Sequence, residues 1–194
     1  MKMVHLILVS VIALIAFYLQ IDDPQVVFHV YLPVLAFCFI FGLLQKEPNI
    51  CHISIMLAVV ALTEYSLFST GLIDLGSPDD DYLIVGTKIF GIQLLINLFA
   101  IALFIFRVQI SRFFSSSSKI VLTDFDGLFH WLFIVAGIMN VLALIENALR
   151  NGLGWLSLTL IYDIYTFVGS AIMALTCGLL LTMLILQAKN KQLT

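Results

Sequence analysis

The chain has 194 residues, of which 62% are hydrophobic and 11% charged, and its formal charge is −3. This balance excludes a water-soluble domain, and nine Lys and Arg residues without a basic stripe exclude a nucleic-acid-binding surface. Apolar runs of about 20 residues recur from end to end, each able to cross the roughly 30 Å hydrocarbon core of a bilayer as a helix.

Taken in order, the first span is expected at 4–21 behind Lys2; its length and the lack of a small-residue cleavage site make it an anchored helix, not a signal peptide. The second follows Asp22-Asp23-Pro24 at 26–44, with Pro33 as a kink. Gln45-Lys46-Glu47-Pro48-Asn49 forms a tight turn before the third span, 50–72, which contains Glu64. An acidic loop with Gly76 and Pro78 leads to the fourth span, 82–106, which contains Lys88. The segment 107–127, with Arg107, Arg112 and Lys119 around Phe113-Phe114 and four serines, is expected to be a flexible, membrane-hugging linker. The fifth span is 128–149. The sixth is 164–187 if Asp163 caps its start, which leaves 152–162 as an outer surface or re-entrant piece with Trp155 near the headgroups.

The fold class is therefore an all-α integral membrane protein of six transmembrane helices arranged as three hairpins. With the N-terminus inside, Lys2, Lys46, Arg107, Arg112, Lys119, Lys189 and Lys191 all fall on one side, so both termini are expected to be cytoplasmic. Cys38, Cys51 and Cys177 lie in spans or at the inner side, which argues against a disulfide framework.

One pattern is written twice. Val59-Val60-Ala61-Leu62-Thr63-Glu64-Tyr65-Ser66-Leu67 matches Val141-Leu142-Ala143-Leu144-Ile145-Glu146-Asn147-Ala148-Leu149 at Val, Ala, Leu, Glu and Leu. Downstream, Asp80-Asp81-Tyr82-Leu83-Ile84-Val85-Gly86-Thr87 matches Asp163-Ile164-Tyr165-Thr166-Phe167-Val168-Gly169-Ser170 as Asp-x-Tyr-x-x-Val-Gly-[Ser/Thr]. A fainter copy falls within the first span. The copies predict parallel hairpin repeats, with Glu64 and Glu146 about two turns, near 10 Å, from the outer ends of their helices. Asp80 and Asp163 would then ring the outer mouth, where helix dipoles favour negative charge.

Charged groups inside spans are costly and rarely face lipid, which singles out Glu64, Lys88, Glu146 and Asp163. Two readings stand beside each other. In one they form internal pairs: Glu146 with Arg150 at i,i+4, and Glu64 with Lys88 across antiparallel helices. In the other they line an outward-facing polar cavity for a cation, a proton or a polar solute. Gly86, Phe90, Gln93 and Asn97 share one face of the fourth span, with Lys88 nearly opposite, so that face looks into protein or water. Asn140 in the fifth span is read the same way. Ser170, Ala174 and Gly178 form a small-residue stripe for close helix packing, within the chain or between protomers.

His5, His52 and His130 begin alternate spans at one depth, a weak pattern for haem or a metal; no cofactor is expected. No P-loop, nucleophile elbow or zinc-protease motif is present. The expected function is permeation or transport of a cation or small polar solute. The alternatives are an accessory subunit that joins a larger membrane complex through the stripe or the 107–127 linker, and an outer-leaflet enzyme that uses paired carboxylates.

Overall fold

A computed structural model describes residues 24–70, 72–73 and 81–192. The expected first span, His5, Asp80 and the acidic loop lie outside the described residues. Within them the chain is helical, with no strand: α1 (Pro24–Gln45), α2 (Pro48–Ser69), α3 (Tyr82–Ile105), α4 (Arg107–Phe114), α5 (Asp126–Asn147) continued by a π-helical turn (Ala148–Gly152), and α6 (Leu160–Gln192). Four helices (Pro48–Ser69, Tyr82–Ile105, Asp126–Gly152 and Leu160–Lys189) are long and apolar enough to cross a membrane, and Val30–Gln45 is a shorter apolar stretch. Phe37, Ile40, Leu95, Leu98, Phe99, Ile138, Ile145 and Leu175 stand exposed on their outer faces. Helices apolar all round need an apolar solvent, so this is a membrane protein's surface.

The α1–α2 turn follows from its residues. Lys46 takes the left-handed conformation (φ 56°), and Pro48 opens α2 at a position where its missing N–H costs nothing. The close approach of the two helices needs Gly42, since a Cβ there would sit 2.8 Å from Cys51 Sγ. Around the bundle, α2 neighbours α3, α3 lies along α5 in the longest seam, α5 neighbours α6, and α6 returns to α1. The apolar core gathers where α1, α2, α3, α5 and α6 converge: Leu35, Ile53, Leu57, Ala100 and Leu180 are buried, and Phe104 stacks on Phe129 and Phe133, each at 5.5 Å.

The segment 107–127 departs from expectation. Its first eight residues are the helix α4, and the remainder folds across the bundle's basic end. Arg107 is fully buried. It donates to Asn49 Oδ1 (2.8 Å), Val121 O (2.5 Å) and Asp126 Oδ2 (2.6 Å), and its Nε lies 2.5 Å from Asp126 Oδ1. Asn49 also donates to Lys119 O (2.9 Å) and accepts from Val121 N (3.3 Å), while Asp126 accepts from Thr123 N (2.6 Å) and Thr123 Oγ1 (2.9 Å). Lys119 reaches Lys46 O (3.2 Å) and Glu47 (3.7 Å). A Gly- and Pro-poor, serine-rich run looks loose in sequence, but here its backbone groups are the partners that a buried guanidinium requires.

The α6 boundary also differs. The helix begins at Leu160, four residues before the expected start, and Asp163 sits in its first turn, accepting from Thr159 Oγ1 (2.9 Å). The segment between α5 and α6 carries exposed Leu153, Trp155 and Leu156, with a left-handed Gly154 (φ 76°) as its turning point. In the Ser170, Ala174, Gly178 stripe, Ser170 is buried, but a Cβ at Gly178 would meet nothing within 4 Å among the described residues, so none of the described helices packs closely there.

Breaking the basic-end network has a definite expected cost. Arg107→Met leaves the Asp126 carboxylate buried without its counter-charge, which destabilises by about 3–5 kcal/mol. Arg107→Met/Asp126→Leu recovers most of that, and Lys119→Met, which removes a half-exposed ammonium, changes stability by less than about 1 kcal/mol. Thermal unfolding in detergent measures all three, and an unchanged midpoint for Arg107→Met would show that the network does not hold this end.

Candidate functional site

Away from the basic end the helices separate around a cavity of about 130 Å³. Each wall comes from a different element: Tyr31 from α1; Leu57, Val60, Ala61 and Glu64 from α2; Gln93, Ile96 and Asn97 from α3; Phe133, Ala136, Met139 and Asn140 from α5; and Tyr165, Val168, Gly169, Ile172, Met173 and Thr176 from α6. Gly169 lies exposed at the cavity's edge, and a Cβ there would meet no atom of the described residues within 4 Å.

The polar groups form a chain across α3, α5 and α6. Tyr165 Oη contacts the Asn140 Oδ1 at 2.5 Å and the Gln93 carboxamide. Asn140 Nδ2 donates to Ala136 O (3.0 Å), which turns its Oδ1 to face the phenol and accept its proton. A phenol has one proton, so the second contact is satisfied when Gln93 presents its amide nitrogen to the Tyr165 oxygen. Asn97 Nδ2 donates to Gln93 O (2.9 Å), the usual local bond of a polar residue inside a helix. Phe90 lies against Tyr165 at 5.2 Å and Tyr162 at 5.5 Å.

Glu64 stands apart from this chain. It is half-buried on α2 with its side chain on the cavity wall, and it makes no hydrogen bond or ion pair among the described residues. The phenols of Tyr31 and Tyr165 share the cavity wall with it. The expected pair with Lys88 does not form: Lys88 is exposed on α3 and is not part of the cavity wall. On a helix, five positions before Gln93 is a rotation of about 140°, so the face that carries Gln93 into the cavity carries Lys88 away from it.

Glu146 has a different task. Buried at 2% exposure, it accepts from Ile161 N (2.8 Å) and Tyr162 N (3.0 Å), the orphan amides at the start of α6. A carboxylate here also meets the positive end of the helix dipole. The expected i,i+4 pair with Arg150 is absent, because the backbone changes to π winding at Ala148 and turns Arg150 out of α-helical register. Its guanidinium lies over the Tyr162 ring at 5.5 Å instead.

Beside Glu146, Asn147 is a hub that the sequence reading did not single out. Fully buried, it donates to Leu83 O (2.9 Å) and Thr87 Oγ1 (3.2 Å) and accepts from Asn151 Nδ2 (2.7 Å) and Tyr162 Oη (2.9 Å). It ties α3, α5 and α6 together, and Gly86 makes room for it, since a Cβ there would overlap its carboxamide. The available signal was an amide directly after a glutamate in an apolar run. Asp81 caps α3 by accepting from Leu83 N (2.8 Å).

The matching positions of the two sequence copies occupy unlike settings. Glu64 faces a cavity and Glu146 a helix end; Gly86 holds a carboxamide and Gly169 faces open space; Tyr82 is exposed and Tyr165 bonded. Of the residues predicted for the site, Glu64, Gln93 and Asn97 meet in the cavity, whereas Lys88, Glu146, Arg150 and Asp163 do not line it. His130 Nδ1 contacts Asp126 O (3.3 Å), the buried His52 Nδ1 has no hydrogen-bond partner, and among the described residues no three His, Cys, Asp or Glu side chains converge as a metal site.

No family model matches the chain, and no match emerged from the curated proteins or the solved structures.

The two glutamates should separate cleanly in stability measurements. Glu146→Gln removes charge-assisted bonds to two buried amides and should lower stability by about 1–3 kcal/mol. Glu64→Gln, which strands no partner, should leave the melting point unchanged or raise it. The glycines should divide likewise. Gly86→Ala forces the locked Asn147 to move and should destabilise by about 1–3 kcal/mol, while Gly169→Ala should be neutral or stabilise by up to about 1 kcal/mol through helix propensity. Equal losses at Glu64 and Glu146 would mean that Glu64 also holds the fold.

Proposed function

We propose that this protein binds and passes a cation or small polar solute through the cavity walled by α2, α3, α5 and α6. One observation carries the reading: Glu64 offers a carboxyl group to the cavity while no described residue pairs with it, in a setting where an uncompensated charge is expensive. Amide and phenol groups from three helices stand opposite, as in sites that replace a solute's hydration shell. The six-span arrangement with parallel, diverged repeats belongs to the same reading, as does the orientation with both termini cytoplasmic, which follows from the cluster of Lys and Arg at the basic end. In that orientation Glu64 lies in the outer half of α2, so the cavity serves the outer side.

A second reading, an accessory subunit, is favoured by Phe113 and Phe114 of α4, which are 84% and 76% exposed beside the basic end. Co-purification of a stoichiometric membrane partner that is lost in Phe113→Ser/Phe114→Ser would favour it.

Flux decides the first reading. In reconstituted vesicles, uptake from a panel of monovalent cations, protons and small amines should fall about ten- to a hundredfold in Glu64→Gln, the loss expected when a desolvated charged contact becomes neutral. Glu47→Gln, at the basic end, should retain it. Flux that is unchanged in Glu64→Gln would sink the proposal.

A further inference from the structure

We infer that the ligand of this cavity is a small organic ammonium ion, with one charged nitrogen and an apolar body about the size of a benzene ring, and not an inorganic cation. The inference rests on the solute-binding reading above and narrows it to a chemical class.

Charge comes first. Glu64 is the one carboxylate among the residues of the cavity wall, and the described residues bring no cation to meet it, so when ionised it gives the wall a single unbalanced negative charge. That selects a monocation over an anion, a neutral solute or a divalent ion.

Coordination comes second. A stripped metal cation takes about six or more oxygen ligands arranged around one point. Besides Glu64, the side-chain oxygens on this wall are neutral ones, from Tyr31, Gln93, Asn97, Asn140, Tyr165 and Thr176, and several already serve hydrogen bonds within the protein. The Asn140 Oδ1 is already bonded to Tyr165, and Tyr165 is held between Asn140 and Gln93. Asn97 Nδ2 is committed to the Gln93 backbone carbonyl, which leaves its Oδ1 as one acceptor. Glu64 supplies two oxygens, and its neighbours along α2, Leu57, Val60 and Ala61, supply none from their side chains. An ammonium group asks for less: up to three acceptors for a primary amine, or a charge partner and aromatic faces for a quaternary one.

Shape comes third. Most of the wall is aliphatic or aromatic, including Leu57, Ile96, Phe133, Ile172 and Met173. Such a surface gains by covering an apolar body and gains nothing from a hydrated ion. The volume of about 130 Å³ compares with an engineered apolar cavity of about 150 Å³ that holds benzene, which sets the ligand's apolar body at no more than about six non-hydrogen atoms. The geometry therefore places the ammonium at Glu64, near the phenol of Tyr165, and the apolar body against α5 and α6 past Gly169.

The test uses the full chain in detergent, with binding measured by calorimetry and by thermal shift. The probes are benzylammonium and butylammonium, their neutral counterparts benzyl alcohol and butanol, and sodium, potassium and calcium chlorides. The expected result is saturable binding of the ammonium ions, at least about tenfold tighter than the matched alcohols, and a loss of about tenfold or more in Glu64→Gln. Gly169→Leu, which leaves Glu64 in place and fills the apolar space, should also abolish binding. A melting point near the parent's shows that each variant is folded, and Glu64→Asp covers a Gln variant that is not.

Saturable binding of an inorganic cation that depends on Glu64, without binding of the amines, would overturn this inference and leave the proposed function standing. Equal binding of amine and alcohol would overturn it too, since charge would then play no part. No binding by any probe, together with unchanged flux in Glu64→Gln, would overturn both.

Discussion

Arg107 is the constraint on which the rest of the bundle depends. A guanidinium cannot be neutralised, so once it is buried every donor must find an acceptor. Asp126 supplies the counter-charge from the first residue of α5, Asn49 comes from the first turn of α2, and Val121 contributes a backbone carbonyl from the crossing segment. Elements far apart in sequence are thereby fixed at one level. Apolar faces alone could not do this. In lipid a leucine is as well solvated outside the bundle as inside it, so hydrophobic burial sets neither register nor neighbours.

The opposite end uses the same physics with a different charge. The start of α6 presents unbonded amides, which nothing in a hydrocarbon can satisfy. Glu146 reaches across from α5 to meet two of them, and Asn147 beside it binds backbone and side chain of α3. The π turn at Ala148 then takes the chain out of α-helical register before it reverses toward α6. Polar closure at both ends leaves the middle of the bundle to packing, which is tight at the Phe104, Phe129, Phe133 stack and loose around Gly169.

Much of this was legible in the sequence. Span positions follow from the length and spacing of apolar runs, because the bilayer imposes one length on every crossing element. The α1–α2 turn is written in Lys46-Glu47-Pro48, and the polar face of α3 in the spacing of Gln93 and Asn97. The partners of the charged groups were not legible. Pairing Glu146 with Arg150 assumed an unbroken α-helix, and pairing Glu64 with Lys88 assumed that similar depth implies facing sides. Helix rotation about its own axis decides both, and in a helix apolar all round no hydrophobic stripe reveals that rotation. Arg107 was misjudged for a related reason: its acceptors include the carbonyl of Val121, and backbone groups look alike in every sequence.

The cavity itself is best understood as a cost. If it were dry, a void of about 130 Å³ would forgo about 3 kcal/mol of packing at roughly 24 cal/mol per Å³; water on its polar wall would reduce that. A larger side chain at position 169 has a Cβ that meets no atom of the described residues within 4 Å, and a neutral group in place of Glu64 would remove the burden of a half-buried charge without leaving any described partner unmet. Both changes are single substitutions, and neither disturbs the Arg107 or Asn147 networks that hold the fold. A bundle shaped by stability alone gains from each. An open space and a carboxylate with no partner among the described residues stand at the same place, while Glu146 shows how readily this fold employs a carboxylate structurally, and the proposed binding role accounts for that contrast.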